Sequence, residues 1–496
     1  MRHTLINFRP IARVIGALLV MIGVLIWTAV PFSLYYDEEI QSLLLSGLTS
    51  LGVGGILWLA SHGKKDGEKV LPTAANMAIR KREGYLIVAL SWTAMVTFGM
   101  LPYLYSGIFD NVPDALFETA SGMTTTGASV LTDIEIQPRG LLYWRSLTQW
   151  IGGMGIIVLT VAILPLLGIG GIELFAAEAP GPTSDKLTPR ISDTAKRLWS
   201  IYVGLTVTEG FLLFFAGMTP FEAINHALTT MATGGFSTRN ASAAAFSPTI
   251  QYIMVLFMFL AGVNYTVLYL SLKRRWSEVW QSSEIKAYVG LVLVLTVIFT
   301  SRVWYLTDNT LEQSFRDSIF QIVSLITTTG YVSADYTSWA PSLTMICFVL
   351  LFVGACAGST AGGIKIIRNL VFFKNSYLEF KRIIHPQAII PLRLNGQIVP
   401  GRTITHIFNF LLLYLMIFIL GSVILSVLGL DFDTAVGAVA TSLGNVGPGI
   451  GKVGPVDNFA WLSPEIKVFL SIIMIVGRLE IFTVLVLFTP YFWRLN

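Results

Sequence analysis

Uncharged apolar runs and short polar segments alternate along the whole chain. The runs at residues 14–34, 40–61, 85–109, 141–172, 198–218, 246–272, 287–301, 340–364, 403–430 and 466–490 carry few charges or none. Most are long enough for a helix to cross a hydrocarbon core of about 30 Å. Four other helical segments are too short to cross: 114–123, one starting at Thr219-Pro220-Phe221-Glu222, 311–326 and 431–443. Each ends in a loop that carries Gly, with Thr beside it in the first three: TTTGAS (124–129), MATGGFS (231–237), TTTGYVS (327–333) and SLGNVGPG (442–449). With Gly127, Gly234, Gly330 and Gly444 taken as equivalent, the loops recur about every hundred residues, the mark of a duplicated module rather than a solenoid repeat.

The pattern predicts an all-α membrane protein: two N-terminal helices, then four pseudo-symmetric helix–pore-loop–helix repeats around a central ion pore. The expected boundaries are 1–83 for the two helices and 84–185, 186–276, 277–398 and 399–496 for the repeats, the third having a broken return helix. Asn111-Val112-Pro113-Asp114 and Thr219-Pro220-Phe221-Glu222 read as helix starts, with a polar cap, an early Pro and an acid in the first turn. Asp114, Glu222, Asp317 and Asp431 precede their glycines by twelve or thirteen residues. An acid at each half-helix start complements the helix dipole and makes an outer vestibule negative.

Charge placement orients the chain. It has 496 residues, of which 54% are hydrophobic and 12% charged, with a net charge of +4. That composition excludes an ordinary soluble domain. The basic clusters are Arg2, Arg9 and Arg13; Lys64, Lys65, Lys69 and Arg80 to Arg82; Lys186, Arg190, Lys196 and Arg197; Lys273 to Arg275; and Lys374, Lys381, Arg382, Arg393 and Arg402. All fall on one side if there are ten full crossings and four re-entrant half-helices, which puts both termini in the cytoplasm. Asp37 to Glu39 then read as a solvated outer face, with Asp133 and Glu135 at the outer mouth. Cys347 and Cys356 read as buried thiols in one helix, and no cleavable leader is expected.

Non-helical backbone at membrane depth is tolerated only where it is buried or lines a water-filled path. A dehydrated cation needs a ring of oxygens in place of its water, and converging backbone carbonyls can supply them. Gly permits the unusual φ and the close approach that this needs. The candidate filter residues are Thr125, Thr126 and Gly127; Ala232, Thr233 and Gly234; Thr328, Thr329 and Gly330; and Leu443, Gly444, Asn445 and Val446. Leu443 offers no side-chain oxygen, so the fourth quarter is expected to be asymmetric. A second candidate is the run GACAGSTAGG, in which Gly354, Gly358, Ser359, Thr360, Gly362 and Gly363 break the third return helix. It is no phosphate loop, because the order Gly363-Ile364-Lys365 fails the Gly-Lys-Ser/Thr pattern. It reads as a movable gate, or else as small residues for close helix packing. Arg478 either enters the ion path or pairs with Glu480, Glu209 or helix-end carbonyls. Glu209 either takes part in proton coupling or makes an interhelical hydrogen bond. Asn264 and His406 read as structural contacts. No Ser/His/Asp set, metal-ligand cluster, catalytic Cys signature or dinucleotide fingerprint is present, which argues against an enzyme.

The four loops, the GSTAGG break and Arg478 in the last return helix resemble the superfamily of bacterial Trk and Ktr and plant HKT potassium transporters. The two extra N-terminal helices resemble its TrkH, TrkG and TrkI type of membrane subunit. The resemblance covers nearly the whole chain. It implies K+ uptake across a bacterial inner membrane, with K+ as the transported ion at the filter loops and no organic cofactor. It implies a homodimer and a cytoplasmic nucleotide-binding TrkA-type regulatory subunit. It also implies that Gly rather than Ser at position 127 favours K+ over Na+, and that Arg478 is a barrier below the filter. A symporter strictly coupled to Na+ or H+ is the competing expectation.

Overall fold

The computed structural model describes residues 6–61, 81–153, 155 and 191–494. The basic residues Lys64, Lys65, Lys69, Arg80, Lys186 and Arg190, and the first return helix beyond Gly155, lie outside them. Two helices come first, α1 (Phe8–Trp27) and α2 (Gln41–Ala60). They pack through small residues: a methyl group added to Gly23 would fall 2.7 Å from the Gly47 carbonyl, and one added to Gly54 2.8 Å from that of Gly16. The acids between them are not all solvated. The Glu38 carboxylate accepts from the N–H groups of Arg139 and Gly140 (2.6 and 3.0 Å) and so caps the first return helix.

Repeat one is α3 (Lys81–Gly99), the half-helix α4 (Val112–Met123) and the return helix α5 (Arg139–Gly153). Repeat two is α6 (Ile191–Phe215), half-helix α7 (Pro220–Met231) and α8 (Pro248–Ala261), which bends by 104° into α9 (Tyr265–Leu272). Repeat three is α10 (Ser283–Leu306), half-helix α11 (Leu311–Ile326) and a short return, α12 (Pro341–Leu350), followed by irregular chain and then α13 (Ile366–Ile384). Repeat four is α14 (Gly401–Val427), half-helix α15 (Phe432–Gly444) and α16 (Pro464–Arg478), which bends by 111° into α17 (Ile481–Leu485).

Local chemistry places the half-helix starts. Asn111 caps α4 through the Asp114 N–H, Thr219 and Glu222 form a capping box on α7, Thr310 caps α11 and Asp431 caps α15. The expectation for Asp317 is corrected. The first-turn acid of α11 is Glu312, and Asp317 lies buried in the next turns. The cap signal at Thr310 sits earlier than the spacing to Gly330 suggested. Asp431 is the cap itself, and bonds from Thr434 hold its carboxyl below the ordinary carboxylate range.

Two further expectations change. The return runs 246–272 and 466–490 are not single straight helices, because Asn264 and Glu480 start new helices after the bends. Among the described residues, six helices are long and apolar enough to cross a membrane, and the two bent pairs raise that to eight. The basic segment 393–398 holds a small antiparallel hairpin, β1 (Arg393–Leu394) with β2 (Gln397–Ile398), inside an otherwise helical chain. Its turn residues, Asn395 and Gly396, both take positive φ (48° and 79°), as a two-residue hairpin turn requires.

Three of the return helices lean on the next half-helix, α5 on α7, α8 on α11 and α16 on α4.

Candidate functional site: four crossed helix ends

All four half-helices end in the same backbone signature. Thr125, Thr233, Thr328 and Asn445 take left-handed φ (56°, 53°, 54° and 52°), and two residues later Gly127, Gly235, Gly330 and Gly447 take positive φ again. Between them, the N–H groups of Thr126, Gly234, Thr329 and Val446 each reach back five residues, to the carbonyls of Ser121, Thr229, Ser324 and Thr441 (2.8–3.0 Å). Such a closure satisfies helix-end carbonyls, normally with Gly at the left-handed position. A β-branched Thr there costs about 1–3 kcal/mol and persists only where the surroundings impose it, a pattern that concentrates at functional sites.

This register corrects the equivalences read from the sequence. Gly127 and Gly330 correspond, but their partners are Gly235 and Gly447, not Gly234 and Gly444. Leu443 and Gly444 are still helical, and Leu443 packs with Phe410, Tyr414 and Ile473. Ala232 is likewise the cap of α7 rather than part of the extended strand. Motif spacing could not separate these choices, since each of the two loops offers more than one Gly.

The four loops meet. A methyl group added to Gly127 would fall on the carbonyl oxygen of Gly234, one on Gly235 on that of Thr329, and one on Gly330 on that of Val446. One on Gly447 would sit 2.8 Å from the oxygen of Thr126. Each glycine therefore faces the equivalent carbonyl of the next loop, in the closed order one, two, three, four, one. The segments just outside close in the same order. Asn240 donates to Asp133 (2.9 Å), the Ala244 N–H to Val332 (3.1 Å), the Tyr336 hydroxyl to Gly449 (2.7 Å) and the Phe459 N–H to Ser129 (2.9 Å). Thr125, Thr126, Thr233, Thr328 and Thr329 are wholly buried, and the Thr125 hydroxyl has no hydrogen-bond partner among the described residues.

The loops are held by polar residues that the sequence reading passed over. Seven residues before each left-handed position lie Glu118, His226, Gln321 and Ala438. The first three bond a serine beyond the loop: Glu118 accepts from Ser129 (3.0 Å), His226 pairs with Ser237 (3.1 Å), and Gln321 donates to Ser333 (3.3 Å). Those serines close the three Thr-rich motifs, so the signal was present. Glu118 also accepts from Arg145 (2.6 Å), a fully buried ion pair. Arg145 reaches on to the Ser237 carbonyl (3.0 Å) and lies over the Phe236 ring.

Directly beyond the helix ends lies the irregular segment between α12 and α13. The Gly362 N–H donates to Thr328 Oγ1 (2.7 Å), and the Thr360 hydroxyl reaches the carbonyls of Met231 and Ala261 (3.2 and 3.3 Å). Gly358 and Gly363 take positive φ, and the Gly358 carbonyl accepts from the Tyr265 N–H (3.0 Å). A methyl group on Gly354 would strike the Gly362 carbonyl, and the Ser359 hydroxyl bonds Cys356. Cys356 therefore sits in this segment and not in a helix; it and Cys347 are buried and free. Arg478, at the end of α16, donates to the carbonyls of Thr360 (2.8 Å), Gly152 (2.6 Å) and Gly153 (3.0 Å). Its carboxylate candidates lie elsewhere. Glu480 pairs with Arg368 (2.5 Å), and Glu209 is wholly buried on α6 beside Thr230. Asn264 caps α9, and His406 stacks on Phe482.

The family described as TrkH, cation transport protein, matches residues 64–494. The "Trk system potassium uptake protein TrkH" of Salmonella typhimurium is 40% identical over 98% of this chain and 100% of its own length. The "Trk system potassium uptake protein TrkG" of Escherichia coli is 35% identical over 96% of this chain and 98% of its own. The crystal structure of the potassium transporter TrkH from Vibrio parahaemolyticus superposes with a TM-score of 0.85 at 34% identity, covering 99% of this chain and 100% of that one. With the repeat plan and the closed quartet of loops, these matches settle the family: the chain belongs to the TrkH cation transport proteins, a family of transporters and not of enzymes.

Proposed function

We propose that this chain is the ion-translocating membrane subunit of a Trk-type K+ uptake system. The single observation that carries the reading is the closed ring in which each loop glycine faces the equivalent carbonyl of its neighbour. Four equivalent carbonyls, from Thr126, Gly234, Thr329 and Val446, can replace part of the hydration shell of K+. The left-handed residues beneath them add the hydroxyls of Thr125, Thr233 and Thr328 and the amide of Asn445. Each half-helix start also carries an acid, but each is paired with a base: Asp114 with Lys467, Glu222 with Arg239, Glu312 with Arg316 and Asp431 with Lys452.

The segment around Gly354, Gly358, Ser359, Thr360, Gly362 and Gly363 is the gate, latched to the helix ends by Thr360 and to α5 and α16 through Arg478. A guanidinium here repels cations while its bonds hold the segment closed. The chain sits in a bacterial inner membrane with both termini cytoplasmic, works as a homodimer, and takes its control from a nucleotide-binding TrkA-type subunit on the cytoplasmic side. Flux is channel-like: the four repeats share one direction, whereas coupled transporters commonly use inverted repeats.

The test is downhill 86Rb+ uptake into liposomes carrying the purified chain, with no Na+ or H+ gradient. Uptake that persists and is displaced by K+ better than by Na+ supports the reading. Strict dependence on either gradient favours the symporter, with Glu209 the first residue to replace.

A further inference from the structure

The ring has one unequal member. Among the described residues, the carbonyls of Thr126, Thr329 and Val446 accept no hydrogen bond, whereas Gly234 accepts one from the Gln149 side-chain amide at 2.6 Å. The other end of that amide accepts from the Phe236 N–H at 3.0 Å. A carbonyl can only accept and an N–H can only donate, so these two partners fix which way the amide points. Gln149 is wholly buried on α5, one helical turn from Arg145, which holds Ser237 of the same loop.

The same contact explains a sequence feature. At this position of the ring the other loops carry Thr126, Thr329 and Val446, but loop two carries Gly234. A methyl group added to Gly234 would run into the Gln149 amide, its nitrogen 2.8 Å away. The amide takes the space that a side chain of loop two would fill. The paired glycines thus have separate causes: Gly234 admits Gln149, and Gly235 supplies the positive φ and the approach to Thr329.

We propose that Gln149 is a specificity-determining residue of the K+ path, acting through the Gly234 carbonyl rather than touching the ion. The inference rests on the filter reading above. An oxygen that already accepts a short hydrogen bond is fixed in place and gives less of its lone-pair density to an ion. Selectivity depends on the number and field strength of the carbonyl dipoles. The ring then offers three strong oxygens and one tempered oxygen. Removing the donor raises the field and frees the loop, and both changes favour a smaller, more strongly hydrated ion than K+.

The experiment compares parent, Gln149→Met and Gln149→Glu in liposomes, reading 86Rb+ uptake against competing K+ and Na+ together with thermal stability. Met removes both bonds at similar volume; Glu keeps the acceptor for Phe236 and loses the amide donor. K+ over Na+ discrimination is expected to fall about fivefold in both folded variants, the ratio for one hydrogen bond of typical net strength. A folded Met variant with the parent's discrimination overturns the proposal. If Met does not fold, the Glu variant decides by the same criterion. If neither folds, Gln149 is a structural staple, and the proposal falls as well. A parent that shows no preference for K+ overturns the filter reading instead, so the two failures are distinguishable.

Discussion

Loops one and three are near copies; loops two and four are not. In the first pair the helix-end threonine bonds back four residues (Thr124 to Ala120 and Thr327 to Val323, both 2.7 Å) and forward to the threonine two places on (Thr126 and Thr329, both 2.7 Å). Loop two replaces this hydroxyl pair with Gln149 from the preceding repeat. Loop four replaces it with Asn445, which donates to Thr126 and to the Met474 carbonyl (both 3.0 Å). The backbone φ values are nonetheless the same in all four within a few degrees at the left-handed position. The conserved quantity within this molecule is therefore the carbonyl ring, and the side chains that brace it are interchangeable local solutions. Asn tolerates the left-handed region better than Thr does, so loop four has the least strained crossing residue and also the fewest local staples: Ala438 stands where the others have Glu118, His226 and Gln321.

The sharpest way to break the comparison is at the buried ion pair joining loops one and two. Glu118→Gln should keep the Ser129 contact and leave Arg145 uncompensated in a dry site. A destabilisation of roughly 3–5 kcal/mol is expected, read as a loss of thermal stability in detergent. An unchanged melting temperature would mean that the pair does not join the two loops energetically. Next in size is the register itself. Gly235→Ala puts a side chain at a positive φ against the Thr329 backbone, costing about 1–3 kcal/mol, whereas Gly234→Ala has no such φ and meets the side-chain amide of Gln149 rather than backbone. 86Rb+ uptake should therefore fall further in the first than in the second, and the reverse order would restore the sequence-based equivalence. Gly127→Ser belongs to the same set: its side chain points at the Gly234 carbonyl, and Na+ permeation should rise relative to K+.

Arg478→Ala should raise downhill 86Rb+ flux several-fold by releasing Thr360, Gly152 and Gly153, about the effect of 1 kcal/mol; lower flux with poor yield would make the residue structural. The smallest effect tests the likeness of loops one and three. Thr124→Val and Thr327→Val each remove one hydroxyl pair and should cost about 1 kcal/mol, equal within error. Unequal losses would show that Gly362, which bonds Thr328 and has no counterpart in loop one, already makes loop three different.

Much of this is legible in the sequence. Half-helix starts follow from caps within four residues of one another, as Asn111 with Asp114 and Thr219 with Glu222 illustrate. The hairpin at Asn395-Gly396 is equally local, but its turn signal is masked by the charge of the surrounding segment. The serines of TTTGAS, MATGGFS and TTTGYVS stand in the motifs themselves, but their partners lie eleven or twelve residues back on a helix, at no spacing that a motif announces. The bends after Ala261 and Arg478 were hidden because apolar composition continues through them.

The fourfold repeat, the short helices and the loops that end them follow from the order of amino acids alone, since hydropathy, capping and glycine placement act over a few residues, and the family follows from the resemblance that those motifs carry. Packing in three dimensions settles which glycine of each loop faces the ring, that Gln149 and Arg145 brace loop two, and that Arg478 binds carbonyls instead of Glu480 or Glu209. The physical reason is one of range. A glycine becomes indispensable when a carbonyl from another repeat, about a hundred residues away, occupies the space beside it, and no pattern within one repeat records which carbonyl that is.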